Sequence, residues 1–209
     1  MESTRDKIIR QALQLFAQKG YHAVSVQEIA RAVGIRAPSL YNHFASKQAI
    51  FDAIIDEMTE TYHKQAAQIG LGWQSGSQDA AVFASIGKEQ LLTMVNGLFS
   101  WFLHDPTVSG LRRMLTLSQF EDKELGDLLT KLYIEDPLYY QEQLFAAMPP
   151  PKNGTGHSPR TLALAFYAPI YFLLLRCDRE PEYEVEARTL IAEHVHSFSK
   201  TFFEQVRGN

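Results

Sequence analysis

Apolar residues recur three and four positions apart along most of this chain, the spacing of a helix with one buried face. Ile9, Ala12, Leu13 and Phe16 make the first such stripe. Thr4 stands where an N-cap belongs, Asp6 falls in the first turn, and Gly20 is a C-terminal stop. The run Ser25-Val26-Gln27-Glu28 carries a capping-box pattern and predicts a second helix. Its inner face is Val26, Ile29, Ala30 and Val33, and Gly34 ends it. Pro38 suits the first position of a short third helix, because its fixed φ and missing N–H cost nothing there. In that helix Ile35, Leu40 and Phe44 turn inward and Ser39, Tyr41, Asn42 and His43 point out. Ser46 can cap a fourth helix whose stripe is Phe51, Ile54, Ile55, Met58 and Tyr62, continuing to about Ile69.

Beyond a loop at Gly70, Gly72, Ser75, Gly76 and Ser77, the pattern predicts helical stretches over 78–104, 107–119 and 121–147. Asp105-Pro106 and Asp136-Pro137 mark breaks or kinks. Pro149-Pro150-Pro151 with Asn153, Gly154 and Gly156 reads as a linker. Two last helices are predicted over 159–177 and 182–206, separated at Arg179-Glu180-Pro181. No strand-like alternation of useful length and no internal repeat occurs. The expected fold is all-α: an N-terminal three-helix helix-turn-helix domain at 4–64, its core motif about 27–46, fused to a larger helical domain at 65–209 for effector binding and dimerisation.

Charge sharpens this division. The whole chain carries −4 with a pI near 6.0. Residues 1–50, however, hold seven basic residues (Arg5, Lys7, Arg10, Lys19, Arg31, Arg36, Lys47) against three acids, leaving 13 basic and 21 acidic residues beyond. A basic head on an acidic body predicts that only the head meets a polyanion. The single cysteine, Cys177, excludes an internal disulfide and fits a reducing cytoplasm. Residues 1–15 lack the apolar core of a signal peptide. The most apolar run, Leu162–Leu175, is shorter than the roughly 20 residues a bilayer span needs, so a buried helix and no membrane partner are expected. In a cytosolic protein the sequon Asn153-Gly154-Thr155 is without consequence.

A helix too short to stand alone, with flat, polar and hydroxylated side chains outside, suits a DNA major groove. Arg36, Ala37, Pro38 and Ser39 form its leading end, with Arg36 placed either for bidentate guanine contact or for phosphate. Tyr41 and His43 flank the groove-facing edge and can donate to phosphate. Ser25 and Gln27 open the second helix toward the DNA backbone. Lys47 falls in the first turn of the fourth helix, where the dipole disfavours a cation, and a phosphate there would relieve the conflict.

Residues 4–51 resemble the N-terminal domain of the TetR family of bacterial transcriptional regulators. The matching marks are the Ile8–Phe16 stripe, Lys19-Gly20-Tyr21, Ser25-Val26-Gln27-Glu28-Ile29-Ala30, Val33-Gly34-Ile35 and Leu40-Tyr41-Asn42-His43-Phe44 followed by Ser46-Lys47. The resemblance implies DNA contact by Gln27, Ala37, Pro38, Ser39, Tyr41, His43 and Lys47. It also implies a homodimer on a palindromic operator and an effector pocket in the body.

Two reading helices roughly 34 Å apart match successive major-groove turns, so a two-fold dimer is expected. Phe166, Tyr167, Tyr171, Leu174, Leu190, Val195, Phe198 and Phe202 of the last two helices are the candidates for its interface. The aromatic-rich middle, Trp73 included, suits either ordinary core or a small-molecule pocket, for which Met94, Leu98, Trp101, Phe102, Phe120, Tyr133 and Tyr140 are the candidates. His194 and His196 lie two apart and point in different directions on a helix, so no metal site is expected. No nucleophile–base pair, acid/base carboxylates or phosphate-cradling loop appears, and no enzyme and no cofactor are expected. The function expected is a dimeric repressor released by a small molecule. The alternative is a ligand-independent helical DNA-binding or adaptor protein.

Overall fold

The computed structural model describes residues 2–69, 75–148 and 156–202. Among them are eleven α-helices and no strand: α1 Thr4–Lys19, α2 Val26–Val33, α3 Ala37–Tyr41, α4 Lys47–Ile69, α5 Gly76–Ser85, α6 Lys88–His104, α7 Pro106–Ser118, α8 Lys123–Thr130, α9 Asp136–Ala147, α10 Pro159–Arg179 and α11 Glu184–Phe202. Trp73, most of the 70–77 loop, the Pro149–Pro151 segment, the sequon and Phe203 lie outside the described residues, as do the side chains of Ile69 and Phe202.

Helix boundaries follow local chemistry. Ser3, one residue earlier than the sequence suggests, caps α1 in a reciprocal capping box with Asp6. Gly20 ends α1 at φ 83°, in a conformation that β-carbon-bearing residues avoid. Two expected helices are each divided. The 78–104 stretch breaks at Ile86-Gly87, where the Gln90 side chain accepts the Gly87 N–H at 2.9 Å and opens α6. The 121–147 stretch passes through a π-helical turn at Lys131–Glu135 immediately before Asp136-Pro137.

Packing gathers the chain into two compact units, and the division is not a single cut near residue 64. The first unit contains residues 1–65 and 104–133, the second residues 66–103 and 134–209. Within the first, α7 lies along α1 so closely that a β-carbon at Gly110 would come within 2.9 Å of Leu13 Cγ. Ile8, Phe16, Ile29, Leu40, Ile50, Ile54, Leu111 and Met114 close its interior. The Tyr133 hydroxyl donates to the Val108 carbonyl at 3.2 Å in the same core.

In the second unit α5 meets α9 backbone to backbone: a β-carbon at Gly76 would sit 2.0 Å from the Tyr140 carbonyl oxygen. Nearby the Tyr140 hydroxyl donates to Asp79 at 2.6 Å, and burial with that hydrogen bond pushes its pKa up. The core joins Leu91, Val95 and Phe99 of α6, Leu173, Leu174 and Cys177 of α10, and Ala187, Ile191 and Val195 of α11. Helix α10 is longer than the apolar run that marks it. At 21 residues it has the length and apolarity of a bilayer span, which overturns the length argument made above. One face packs against α9 and α11, while Leu164 and Phe172 are 52% and 65% exposed.

Candidate nucleic-acid interface

Residues 20–47 form a capped helix, a tight turn and a second, five-residue helix. Ser25 and Glu28 complete a reciprocal cap on α2: the Ser25 hydroxyl accepts the Glu28 N–H at 3.2 Å, and the Glu28 carboxylate accepts the Ser25 N–H at 2.9 Å. Those bonds, together with Lys19 at 3.0 Å, hold the Glu28 carboxyl down to about 2. Gly34, left-handed at φ 80°, turns the chain out of α2. The extended Arg36 then starts α3, with Ala37 and Pro38 at its first two positions.

Leu40, fully buried, and Phe44 anchor this short helix to the core. Their burial leaves Arg36, Pro38, Ser39, Tyr41, Asn42 and His43 exposed and Ala37 half-buried, as their alternation with the inward residues requires. Ser25 and Gln27, at the start of α2, are exposed as well. Among the described residues Arg36 engages no acidic group, whereas Arg10 pairs with Glu2 and Lys19 with Glu28.

Lys47 is placed differently from a simple surface cation. Its ammonium donates to the carbonyls of Tyr21 and Val24, both at 3.0 Å, and lies 4.3 Å from the centre of the Tyr21 ring. Burial lowers its pKa. Two of its three protons therefore fasten the α1–α2 turn to the start of α4, and the third remains for an outside acceptor. Arg5, one of the seven basic residues of the head but not among the expected DNA contacts, has its guanidinium 5.1 Å from the Phe44 ring centre, just past the end of α3. Its only sequence signal is its charge.

The residues expected to line an effector pocket are distributed over both units. Phe120 is 93% exposed, and Tyr133 is in the interior of the first unit. Met94 and Phe102 pack against the core of the second unit, where Trp101 meets Phe102 edge to face at 4.8 Å. Leu98 is half-buried on α6, and Tyr140 is held by Asp79. The residues expected at a dimer face also divide. Leu174, Val195 and Phe198 are interior, Phe166, Tyr167 and Tyr171 half-buried, and Leu190 exposed. Phe172 and Leu164 are the large apolar residues that α10 turns outward. A shallow apolar groove runs along Ala168, Pro169, Phe172, Leu173, Leu190 and His194. His194 Nε2 meets the Phe166 carbonyl at 2.9 Å, and His196 Nδ1 meets Lys88 at 2.6 Å, so the two rings serve separate contacts.

This arrangement is that of a helix-turn-helix DNA-binding regulator of transcription. Residues 8–54 match the family model described as bacterial regulatory proteins, tetR family. The HTH-type transcriptional regulator YttP of Bacillus subtilis is 26% identical over 98% of this chain and 91% of its own length. IcaR of Staphylococcus aureus, a negative transcriptional regulator of the biofilm operon icaADBC, is 46% identical over 48 residues, which are 23% of this chain and 26% of IcaR. The structure of FadR from Bacillus subtilis in complex with stearoyl-CoA shares the fold, with a TM-score of 0.57 at 16% identity, covering 92% of this chain and 96% of that one. The likeness to the TetR family thus lies in residues 8–54, the segment that holds the helix-turn-helix.

Proposed function

We propose that this protein is a homodimeric repressor, acting in the cytoplasm, that binds a palindromic operator through paired copies of α3 and leaves it when a small molecule occupies the helical body. The observation that carries the DNA reading is the exposed row Arg36, Ser39, Tyr41, Asn42 and His43 on a helix pinned by buried Leu40. The donors present match the acceptors of a major groove: Arg36 for a guanine edge or a phosphate, Tyr41 and His43 for phosphates, Ser39 for either base or backbone. Ser25, Gln27 and Lys47 add backbone contacts, and Ala37 and Pro38 offer apolar surface to a thymine methyl.

The second copy covers the groove on α10 and α11, so that Leu164, Phe172 and Leu190 leave water. Effector binding belongs to the second unit. The chain passes between the units within α4, at the α6–α7 junction and inside the π turn, giving three covalent routes from a pocket to the head. A coupling of about 1–3 kcal/mol between effector and operator is enough for severalfold regulation. That FadR, of the same fold, is solved in complex with stearoyl-CoA supports a small-molecule ligand for this protein.

Selection of bound duplexes from a random pool tests the reading. A two-fold symmetric consensus is expected, with affinity falling steeply as salt rises. Bound duplexes without symmetry would leave a monomeric DNA-binding protein, and failure to bind any duplex would leave a helical adaptor.

A further inference from the structure

The α1–α2 turn, Gly20–Val24, carries the start of α2 and is gripped from two sides. Lys47 holds it from α4. On the other side the corner between α7 and α8 bonds it twice. The Tyr21 N–H donates to the Ser118 hydroxyl at 3.0 Å in a buried contact. A β-carbon at Gly20 would already touch Ser118 Oγ at 3.4 Å. His22 Nε2 lies 2.7 Å from Asp122 Oδ2. Asp122 spends its other oxygen on capping α8, accepting Glu124 N–H at 2.9 Å and Leu125 N–H at 3.2 Å. One carboxylate thus ties the end of the reading head to the start of a helix nearly a hundred residues later.

We propose that Ser118 and Asp122 are positioning residues for DNA binding, and that the His22–Asp122 pair is a charge-dependent latch that strengthens DNA binding when His22 is protonated. The inference rests on the DNA-binding reading of the head. A protonated imidazole makes this contact an ion pair and a neutral one makes it a hydrogen bond, so its strength depends on the charge of His22. The groups facing it are Asp122 from the α8 start and the Tyr21 ring, whose edge contact is 5.2 Å between centres. Tyr21 in turn is faced by Lys47 and by Asp52 of α4. A closed latch pre-orders the turn from which α2 emerges, so less ordering is left to DNA binding.

The sign separates this from simple attraction between His22 and DNA. Were His22 only a positive charge near phosphate, Asp122→Asn would remove a competing negative charge and tighten binding at every pH. The latch predicts the opposite. Asn still caps α8 through its carbonyl oxygen, yet binding weakens at pH 6 and the pH dependence flattens.

The test uses the full-length protein and a duplex selected from the random pool, at fixed ionic strength, from pH 6 to pH 8. Wild type is expected to bind about two- to fivefold more tightly at pH 6 than either Asp122→Asn or His22→Gln, the range that one exposed ion pair supplies. The wild-type advantage disappears near pH 8. His43 is present in all three proteins, so its contribution cancels in the comparison. Amide exchange without DNA gives a second readout: Tyr21–Val24 exchange faster in Asp122→Asn at pH 6. Faster exchange with no duplex bound by wild type would defeat the DNA reading and leave the latch standing. Unchanged exchange, unchanged pH profiles, or tighter binding by Asp122→Asn would overturn the latch.

Discussion

Lys47 answers two demands with one ammonium. It sits at the positive end of the α4 dipole, where a cation is unfavourable, and it recovers that cost by donating to the Tyr21 and Val24 carbonyls. Its removal takes the ammonium from the Val24 carbonyl and leaves the Tyr21 carbonyl with only the long Val24 N–H contact at 3.4 Å. Lys47→Ala is therefore expected to lower stability by about 1–3 kcal/mol in a urea titration and to reduce the salt slope of duplex binding by about one unit. An unchanged slope with lowered stability would confine Lys47 to holding the turn. Glu28 is the other residue whose charge is committed locally. Its folded pKa of about 2 lies below the ordinary carboxylate value. Its stabilisation is thus complete above the unfolded value and is lost as pH falls through about 2. The melting-temperature gap between wild type and Glu28→Ala should be constant above about pH 5 and shrink steadily toward pH 2. The capping box itself is legible because its partners are three residues apart. The Lys47 bonds are not, because their acceptors lie 26 and 23 residues away and are backbone atoms.

At the scale of elements, contact between helices is decided where small residues let backbones approach. Gly76 and Gly110 are both such places, but they differ in what they touch. A β-carbon at Gly76 meets the Tyr140 backbone, which cannot move without separating α5 from α9. At Gly110 it meets the Leu13 side chain, which can rotate. Gly76→Ala is expected to destabilise by about 3 kcal/mol or more and Gly110→Ala by about 1–2 kcal/mol, read from denaturation midpoints. Comparable losses would show that Leu13 is as fixed as backbone. Periodicity foretells that Ile9, Leu13 and Phe16 are buried, yet it is silent on what covers them. That is why the sequence joins α1 only to its neighbours, whereas α7 lies along it. The break at Gly87 has a signal that periodicity overrides: Gln90, three residues on, reaches back to the Gly87 N–H. The short α3 is legible because Pro38, Leu40 and Phe44 leave its remaining positions one possible orientation.

Among the described residues, helix α10 presents an apolar surface that its own unit leaves in water. Helix α10 reads in the sequence as apolar on all sides. Its Leu173, Leu174 and Cys177 side is buried within the second unit, whereas Phe172 is 65% and Leu164 52% exposed. A sequence cannot separate these two sides when both are apolar, which is why the expected interface takes in the interior Leu174 and Val195. The distinction is testable because the two sides answer to different measurements. Phe172→Glu changes a side chain already in water, so its effect on folding of a single chain should stay within about 0.5 kcal/mol. In a two-fold interface the same change appears twice and sets two carboxylates against an apolar partner surface. Sedimentation should therefore show a folded protein of half the wild-type mass at micromolar concentration, with weaker binding to a two-half-site duplex and unchanged binding to a single half-site. Ile191→Ala, at a fully buried position, should do the reverse, costing about 2–5 kcal/mol of stability with the mass unchanged. A wild type that sediments as a monomer, or a Phe172→Glu variant that keeps the wild-type mass, would remove this face from the assembly and with it the symmetry assigned to the operator.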